Sequence, residues 1–333
     1  MKIAVIDNDK IILKNVENIG LDGRKGAIVK VLGCGLCGSD IVKFVHKISK
    51  DGTVLGHEIV AQIVDINSDT DFKIGDKIVT SHHIPCGECD YCRHGNVSMC
   101  EHFKSTNIRP GGFSEYVYLS EEHLQNVAHL KPENLSEVEA SFYEPLGCIV
   151  RAVKRADLLS GDTALVVGLG SIGILMAQAL KAYGMKVAGC DLIKERIEFL
   201  KSLGIEAYDA REIPAEFKSD GIFMTSGADK AIDTALKYVR NGGKILVFSS
   251  TPSDTASYPN NEIYYRELTV LGSYSPSPVD LKNSLDMLEK GQVKVDGIST
   301  EYGFDEIEKA FEDTMANKIM KAYIKIEKKK GSS

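Results

Sequence analysis

The segment Gly168-Leu169-Gly170-Ser171-Ile172-Gly173 restricts the fold more than any other stretch. It lies between an apolar run, Ala164-Leu165-Val166-Val167, and a helical pattern from Ile172 to Tyr183. A Gly-x-Gly-x-x-Gly turn in that context joins a strand to a helix and can cradle a pyrophosphate. Gly168 permits the tight turn, Gly170 lets the backbone approach the phosphates, and Gly173 lets helix and strand pack closely. Ser171 and Ile172 open the helix, where a negative charge is favoured. Asp191 stands eighteen residues beyond Gly173, at the end of the next strand pattern. An acid there can accept the ribose hydroxyls of NAD and would repel the 2′-phosphate of NADP, so NAD is the expected cofactor. Arg196 is a further candidate at the adenosine end, with an ordinary helix-surface charge as the alternative.

The alternation continues beyond this unit. Lys186 to Cys190, Gly221 to Met224, Lys244 to Phe248 and Leu268 to Leu271 read as strands, and Glu195 to Leu203 and Lys230 to Val239 as helices. Parallel strands need crossover helices, so residues 147–275 are expected to form a doubly wound α/β domain. Ahead of it, Gly26 to Leu32, Glu58 to Ile66 and Lys77 to Ser81 read as short strands separated by Asp-Gly and Gly-Asp turns. Behind it come two amphipathic helices, about 279–290 and 305–316, and a last strand, Lys321 to Ile326. Lys330-Gly331-Ser332-Ser333 reads as a frayed end.

A chain of 333 residues exceeds one compact core and fits roughly two domains. Its net charge of -7 gives no electrostatic attraction to nucleic acid or to an anionic membrane. No stretch approaches the ~20 apolar residues of a spanning helix, and Met1-Lys2-Ile3 acquires charge too early for a signal segment. The expectation is a cytoplasmic protein with no nucleic-acid and no membrane partner.

Cys86-x2-Cys89-x2-Cys92-x7-Cys100 concentrates four of the eight cysteines in fifteen residues. Four thiolates on one loop suit a closed tetrahedral zinc site, with an iron–sulfur cluster as the rival. A closed site has no open position for a substrate, so the lobe at 85–101 is read as structural. His94 and His102 are bystanders in this reading.

A second constellation is Gly33-Cys34-Gly35-Leu36-Cys37-Gly38-Ser39-Asp40, with Gly56-His57-Glu58 following. A Cys and a His on separate loops, beside hydroxyl and carboxylate groups, can bind a zinc that keeps an open position. With Gly111-Gly112-Phe113-Ser114-Glu115-Tyr116, Glu144-Pro145-Leu146, the four-Cys lobe and GLGSIG in this order, the chain resembles the zinc-dependent medium-chain dehydrogenases, in particular their sorbitol/iditol-like polyol branch. The resemblance spans essentially the whole length. It implies a GroES-like β-barrel catalytic domain formed by 1–146 and 276–333, around an inserted Rossmann domain at 147–275. It also implies an NAD-dependent oxidoreductase, homodimeric or homotetrameric, that takes hydride from a secondary alcohol of a polyol.

Carried over by position, the resemblance implies that Cys37 and His57 ligate a catalytic zinc. Glu144 or Glu58 would be the third ligand, Asp40 the acid that orients His57, and Lys321 a cation facing the carboxylates. Ser39 matches the hydroxyl that accepts the substrate proton. The family often has a His three residues further on, where this chain has Val42, so His46 or solvent would complete the relay. His82 and Arg151 are candidates for the substrate pocket, and Lys43, Lys47 and Lys50 would suit a phosphorylated substrate. Other alcohol classes, including simple alcohols and threonine-like substrates, and a non-catalytic NAD-binding zinc scaffold are the competing readings.

Overall fold

The structure is a computed structural model and describes residues 1–228, 230–250, 255 and 257–326. The expected frayed end at Lys330–Ser333 lies outside the described residues. The chain divides into two compact units. One comprises Met1–Pro145, Ser277–Glu289 and Val295–Ser333, the other Leu146–Pro276 and Lys290–Lys294.

The first unit opens with a hairpin that the sequence reading did not anticipate, β1 (Lys2–Asp7) against β2 (Lys10–Asn15), with Asn8 at φ 55° in the turn. Asn tolerates positive φ, so Asn8-Asp9 between two apolar runs was the available signal. Next come β3 (Gly26–Gly35), β4 (Glu58–Asn67), β5 (Lys77–Thr80), β6 (Tyr116–Ser120) and β7 (Ala128–Leu130). Strand β3 is buried at every position but Lys30, which explains its continuous apolar run. It pairs antiparallel with β4 from Gly26 opposite Asn67 to Gly35 opposite Glu58, and with β6 on its other side.

The second unit carries β8 (Thr163–Val167), β9 (Lys186–Asp191), β10 (Glu206–Asp209), β11 (Ser219–Met224), β12 (Val239–Val247) and β13 (Thr269–Gly272). They form one parallel sheet in the order β10-β9-β8-β11-β12-β13. Counted along the unit this is 3-2-1-4-5-6, the order of dinucleotide-binding sheets, whose ligand crevice lies where the winding reverses, between β8 and β11. Leu165, Ile222, Met224, Ala235 and Ile245 lie in its core. Strand β12 starts at Val239 rather than Lys244, because the register with β11 shifts between Ser219 and Gly221.

The chain completes the first unit with β14 (Ser299–Gly303) and β15 (Lys321–Lys325), giving a mixed sheet ordered β14-β15-β3-β4-β5-β7 with β6 beside β3. Val29, Ile59, Ile63, Ile78, Val117 and Ile324 fill its core. The helix Ile307–Met315 adds Phe311, whose ring meets Phe44 at 5.5 Å and Phe113 at 6.1 Å. Among the described residues no helix is long and apolar enough to cross a membrane.

Candidate functional site

The four-cysteine lobe has almost no core of its own. From Cys86 to Cys100 only Ser98 and Cys100 are buried, so packing does little to hold it. Its ligand atoms nevertheless converge within 4.8 Å of one another. The Sγ–Sγ distances are 3.5 Å for Cys86–Cys100, 3.6 Å for Cys89–Cys92 and 4.0 Å for Cys86–Cys92. Sulfurs at ~2.3 Å from a tetrahedral zinc stand about 3.8 Å apart, so the set fits that ion. Burial and a hydrogen bond with Cys89 push the Cys92 thiol up to about 12. At Cys100 burial opposes ionisation, but the backbone N–H groups of Cys86 and Phe103 bring the thiol down to about 6. Closely packed thiols that cannot all ionise together favour a cation among them.

Cys37 is placed by a helix start. It caps the helix Gly38–Val45, with its Sγ accepting from the Ser39 N–H at 3.5 Å, and its own N–H donates to Asp40 Oδ2 at 3.3 Å. The same Asp40 carboxylate accepts from Gly56 N–H at 3.4 Å and stands 3.5 Å from His57 Nδ1. Asp40 therefore fixes both the cysteine and the histidine, and orients the ring so that its other nitrogen is free for a metal. Burial alone would raise the Asp40 carboxyl, but the charge and hydrogen bond of His57 bring it below its ordinary value. Burial likewise opposes a charged His57, yet Asp40 and Cys37 lift its pKa well above the ordinary value. These anionic groups favour positive charge at His57, which suits a site that receives a cation.

Glu58, the first residue of β4, completes a cluster in which Cys37, His57 and Glu58 place their ligand atoms within 4.8 Å of one another. Lys321 at the start of β15 approaches Glu58 Oε2 to 2.5 Å, and both side chains are at most 4% exposed. The contact is ionic, and neither Glu58 oxygen has a hydrogen bond of regular geometry. Burial works against the Lys321 ammonium, but Glu58, Cys37 and Glu144 raise its pKa overall. Glu144, in the first turn of the helix Tyr143–Ala156, is buried and acts on Lys321 electrostatically, but stands outside the three-residue ligand cluster. Ser39 is exposed in the first turn after Cys37. The donor set of thiolate, imidazole and carboxylate fits a zinc with a position left for substrate.

His82 is not a solvated loop residue. It is 9% exposed, its ring lies 4.5 Å from that of His57 and 3.9 Å from that of His83, and His83 continues to Phe103 at 4.7 Å. Burial and the neighbouring imidazoles hold His82 well below its ordinary pKa, and its Nδ1 is buried without a hydrogen-bond partner. Arg151 is buried in the second unit and donates to the carbonyls of Tyr274 at 2.8 Å and Ser275 at 3.0 Å, tying down the segment that follows β13.

In the glycine turn, Gly168 has φ 99°, and a Cβ on Gly173 would fall 1.9 Å from the Gly168 carbonyl oxygen. Nothing lies within 4 Å of a Cβ on Gly170, which leaves the space a pyrophosphate needs. Ser171 and Ile172 begin the helix that follows. Thr225, which the sequence reading missed, ends this arrangement from β11 by donating through Oγ1 to the Gly168 carbonyl at 2.7 Å. Asp191 ends β9, but its carboxylate already accepts from Leu169 N–H at 2.6 Å, Leu192 N–H at 2.7 Å and Ile193 N–H at 2.9 Å. Arg196 approaches the same carboxylate at 3.8 Å. The acid thus organises the turn itself, at the end of β9.

Comparison with known proteins gives the same class. Residues 23–129 match the family model described as alcohol dehydrogenase GroES-like domain, and 171–290 the one described as zinc-binding dehydrogenase. D-arabitol-phosphate dehydrogenase of Enterococcus avium is 30% identical over 317 residues, 89% of either chain. Sorbitol dehydrogenase of Halalkalibacterium halodurans is 28% identical over 320 residues, covering 91% of this chain and 92% of the relative. The alcohol dehydrogenase TADH from Thermus sp. ATN1 superposes with a TM-score of 0.87 over 98% of this chain and 100% of its own, at 24% identity, a likeness of fold. The chain belongs to the zinc-dependent medium-chain alcohol and polyol dehydrogenases, built from a GroES-like domain and a Rossmann domain.

Proposed function

We propose that the protein oxidises a secondary alcohol of a polyol or sugar-derived substrate with NAD, giving a ketone and NADH. The observation that carries this reading is the pairing of a three-donor cluster, Cys37, His57 and Glu58, with the buried, unpartnered Nδ1 of His82 beside it. A neutral imidazole with a spare polar atom serves a second substrate hydroxyl, which a simple alkanol cannot offer, and a site built to hydrogen-bond a hydroxyl discriminates strongly against its absence. The names of the relatives, an arabitol-phosphate and a sorbitol dehydrogenase, support the polyol class.

A zinc held by Cys37, His57 and one acid supplies Lewis acidity toward the reacting hydroxyl. Glu58 is the acid that shares a cluster of ligand atoms with those two donors, and Glu144 is the alternative. Asp40 holds the His57 ring, and Lys321 compensates the buried carboxylates. Ser39 accepts the hydroxyl proton and passes it on toward His46 or solvent. The GLGSIG turn holds the pyrophosphate, and the charge of Asp191 disfavours NADP. His82 lines the substrate pocket in this reading, whereas the donors of Arg151 on backbone carbonyls support a structural role. We further place the protein in the cytoplasm, which suits eight free cysteines, and as a homo-oligomer, for which the open edge strand β13 is a candidate surface.

The test is initial-rate reduction of NAD and NADP across sugar alcohols, polyol phosphates, inositols and simple alcohols. The expected result is NADH formation with polyols preferred. Preference for simple alcohols would overturn the substrate class, and preference for NADP the role given to Asp191.

A further inference from the structure

Three imidazoles and a phenyl ring stand in a row that begins at the metal-ligand candidate His57 and ends beside the four-cysteine lobe. The ring centroids are 4.5 Å apart for His57 and His82, 3.9 Å for His82 and His83, and 4.7 Å for His83 and Phe103. At such spacings neighbouring rings are in van der Waals contact. The backbone of His82 is fixed from outside the row. His123, itself 2% exposed, donates from Nε2 to the His82 carbonyl at 3.2 Å and accepts at Nδ1 from the Ser120 hydroxyl at 2.8 Å. The side chain lacks such an anchor, since its buried Nδ1 has no hydrogen-bond partner in the protein. Its rotamer is therefore left to the rings on either side, and one of these, His57, is held by Asp40. The other, His83, is held by Thr106. The His83 ring donates from Nδ1 to the Thr106 carbonyl, while Thr106 Oγ1 accepts from the Ile84 N–H at 2.9 Å and donates to the Phe103 carbonyl at 3.0 Å. Thr106 thus fastens the His83 ring, the backbone that follows it and the residue whose buried phenyl comes next in the row. His83 stands three residues before Cys86 and Phe103 three after Cys100, on the segments by which the chain enters and leaves the lobe.

We infer that His83 is a specificity-determining positioning residue: clamped by Thr106, it holds the His82 ring in the orientation from which Nδ1 meets a second hydroxyl of the substrate. The inference rests on the role given to His82 in the polyol reading above and names what sustains that role. A hydrogen bond tolerates little error in distance or angle, and a ring released into another staggered rotamer no longer makes it. A recognition group is only as precise as the packing that locks its rotamer. The loss would fall on substrates that offer a second hydroxyl. A simple secondary alcohol reacts through its one hydroxyl and has no bond to lose at His82, so His83 acts on the choice of substrate rather than on the reacting centre.

The test uses the full-length, zinc-loaded protein with D-sorbitol, xylitol and D-arabitol, each measured against 2-butanol. His83→Leu removes the ring and should lower the polyol-over-butanol ratio of kcat/KM about tenfold or more, chiefly through a higher KM for the polyol, to near the ratio of His82→Leu. His83→Phe keeps a ring in the row and should retain most of the wild-type ratio. Combining His82→Leu with His83→Leu should lower the ratio no further than His82→Leu alone, because a residue that acts through His82 has nothing to act on once that ring is gone. Thr106→Val loosens the clamp without altering the row and should lower the same ratio at least about threefold. A ratio unchanged in His83→Leu, or in Thr106→Val should the leucine variant not fold, would overturn the inference while leaving the role of His82 intact. So would a further loss in the double variant, or an equal loss for the polyols and 2-butanol. An unchanged ratio in His82→Leu, or turnover of none of the three polyols, would overturn the reading of His82 and the inference with it.

Discussion

His83 links acid stability to the ring stack that ends at His57. Burial lowers its pKa to about 4 from an ordinary 6.5, against the opposing pull of its hydrogen bond to the Thr106 carbonyl. Below pH 6.5 the unfolded chain takes up a proton that the folded chain refuses. Stability is therefore full above the ordinary histidine value and falls as the pH drops toward 4. The whole difference corresponds to ~3.4 kcal/mol, of which ~2 kcal/mol is already lost at pH 5. His83→Phe keeps a ring between His82 and Phe103 but removes the titration, along with a hydrogen bond worth about 1 kcal/mol at any pH. The assay is urea unfolding of both zinc-loaded proteins at pH 7 and pH 5, followed by circular dichroism because the chain has no tryptophan. Wild type should lose ~2 kcal/mol more than the variant between the two pH values. Equal losses, within about 0.5 kcal/mol, would refute the claim that His83 is held neutral by its surroundings.

Other perturbations address the remaining parts of the site. Lys321→Met leaves the Glu58 carboxylate buried without its cation and should cost about 3–5 kcal/mol in the metal-free protein, with most of it recovered in Lys321→Met combined with Glu58→Gln; additive losses in the double variant would contradict the pairing. Cys92→Ser removes one of four lobe ligands and should lower bound zinc from two per chain to one, read by elemental analysis, with protease cutting newly concentrated in 86–100; unchanged zinc content would exclude Cys92 as a ligand. Ser39→Ala should lower kcat about a hundredfold or more while zinc content stays constant, and an undiminished rate would remove Ser39 from the proton path.

The parts legible in the sequence are those where backbone geometry or metal chemistry leaves little choice of residue. Gly173 stands where a Cβ would meet the Gly168 carbonyl, and four thiols converge on a lobe that cannot pack by itself, so both appear as spaced motifs. The less legible parts depend on contacts between distant segments. His82 and His83 form a polar pair in a row of residues, and only the return of the chain at Thr106 and the position of His57 make them a buried stack. Glu58 and Glu144 are each suitable acids in sequence, but strand pairing at Gly35–Glu58 sets only Glu58 beside Cys37 and His57 within the ligand cluster. Arg151 reads in sequence as a candidate substrate-binding cation, and only the fold shows its Nη1 donating to carbonyls more than a hundred residues away.

The most direct test of the account is to strip the metal, return zinc stepwise and follow NADH formation from a polyol that the wild-type protein uses. The account predicts no NADH in the zinc-free protein and recovery of the full rate once both the four-cysteine set and the Cys37–His57–Glu58 set are filled. An undiminished rate without zinc, or no polyol oxidation with both sets filled, would contradict it.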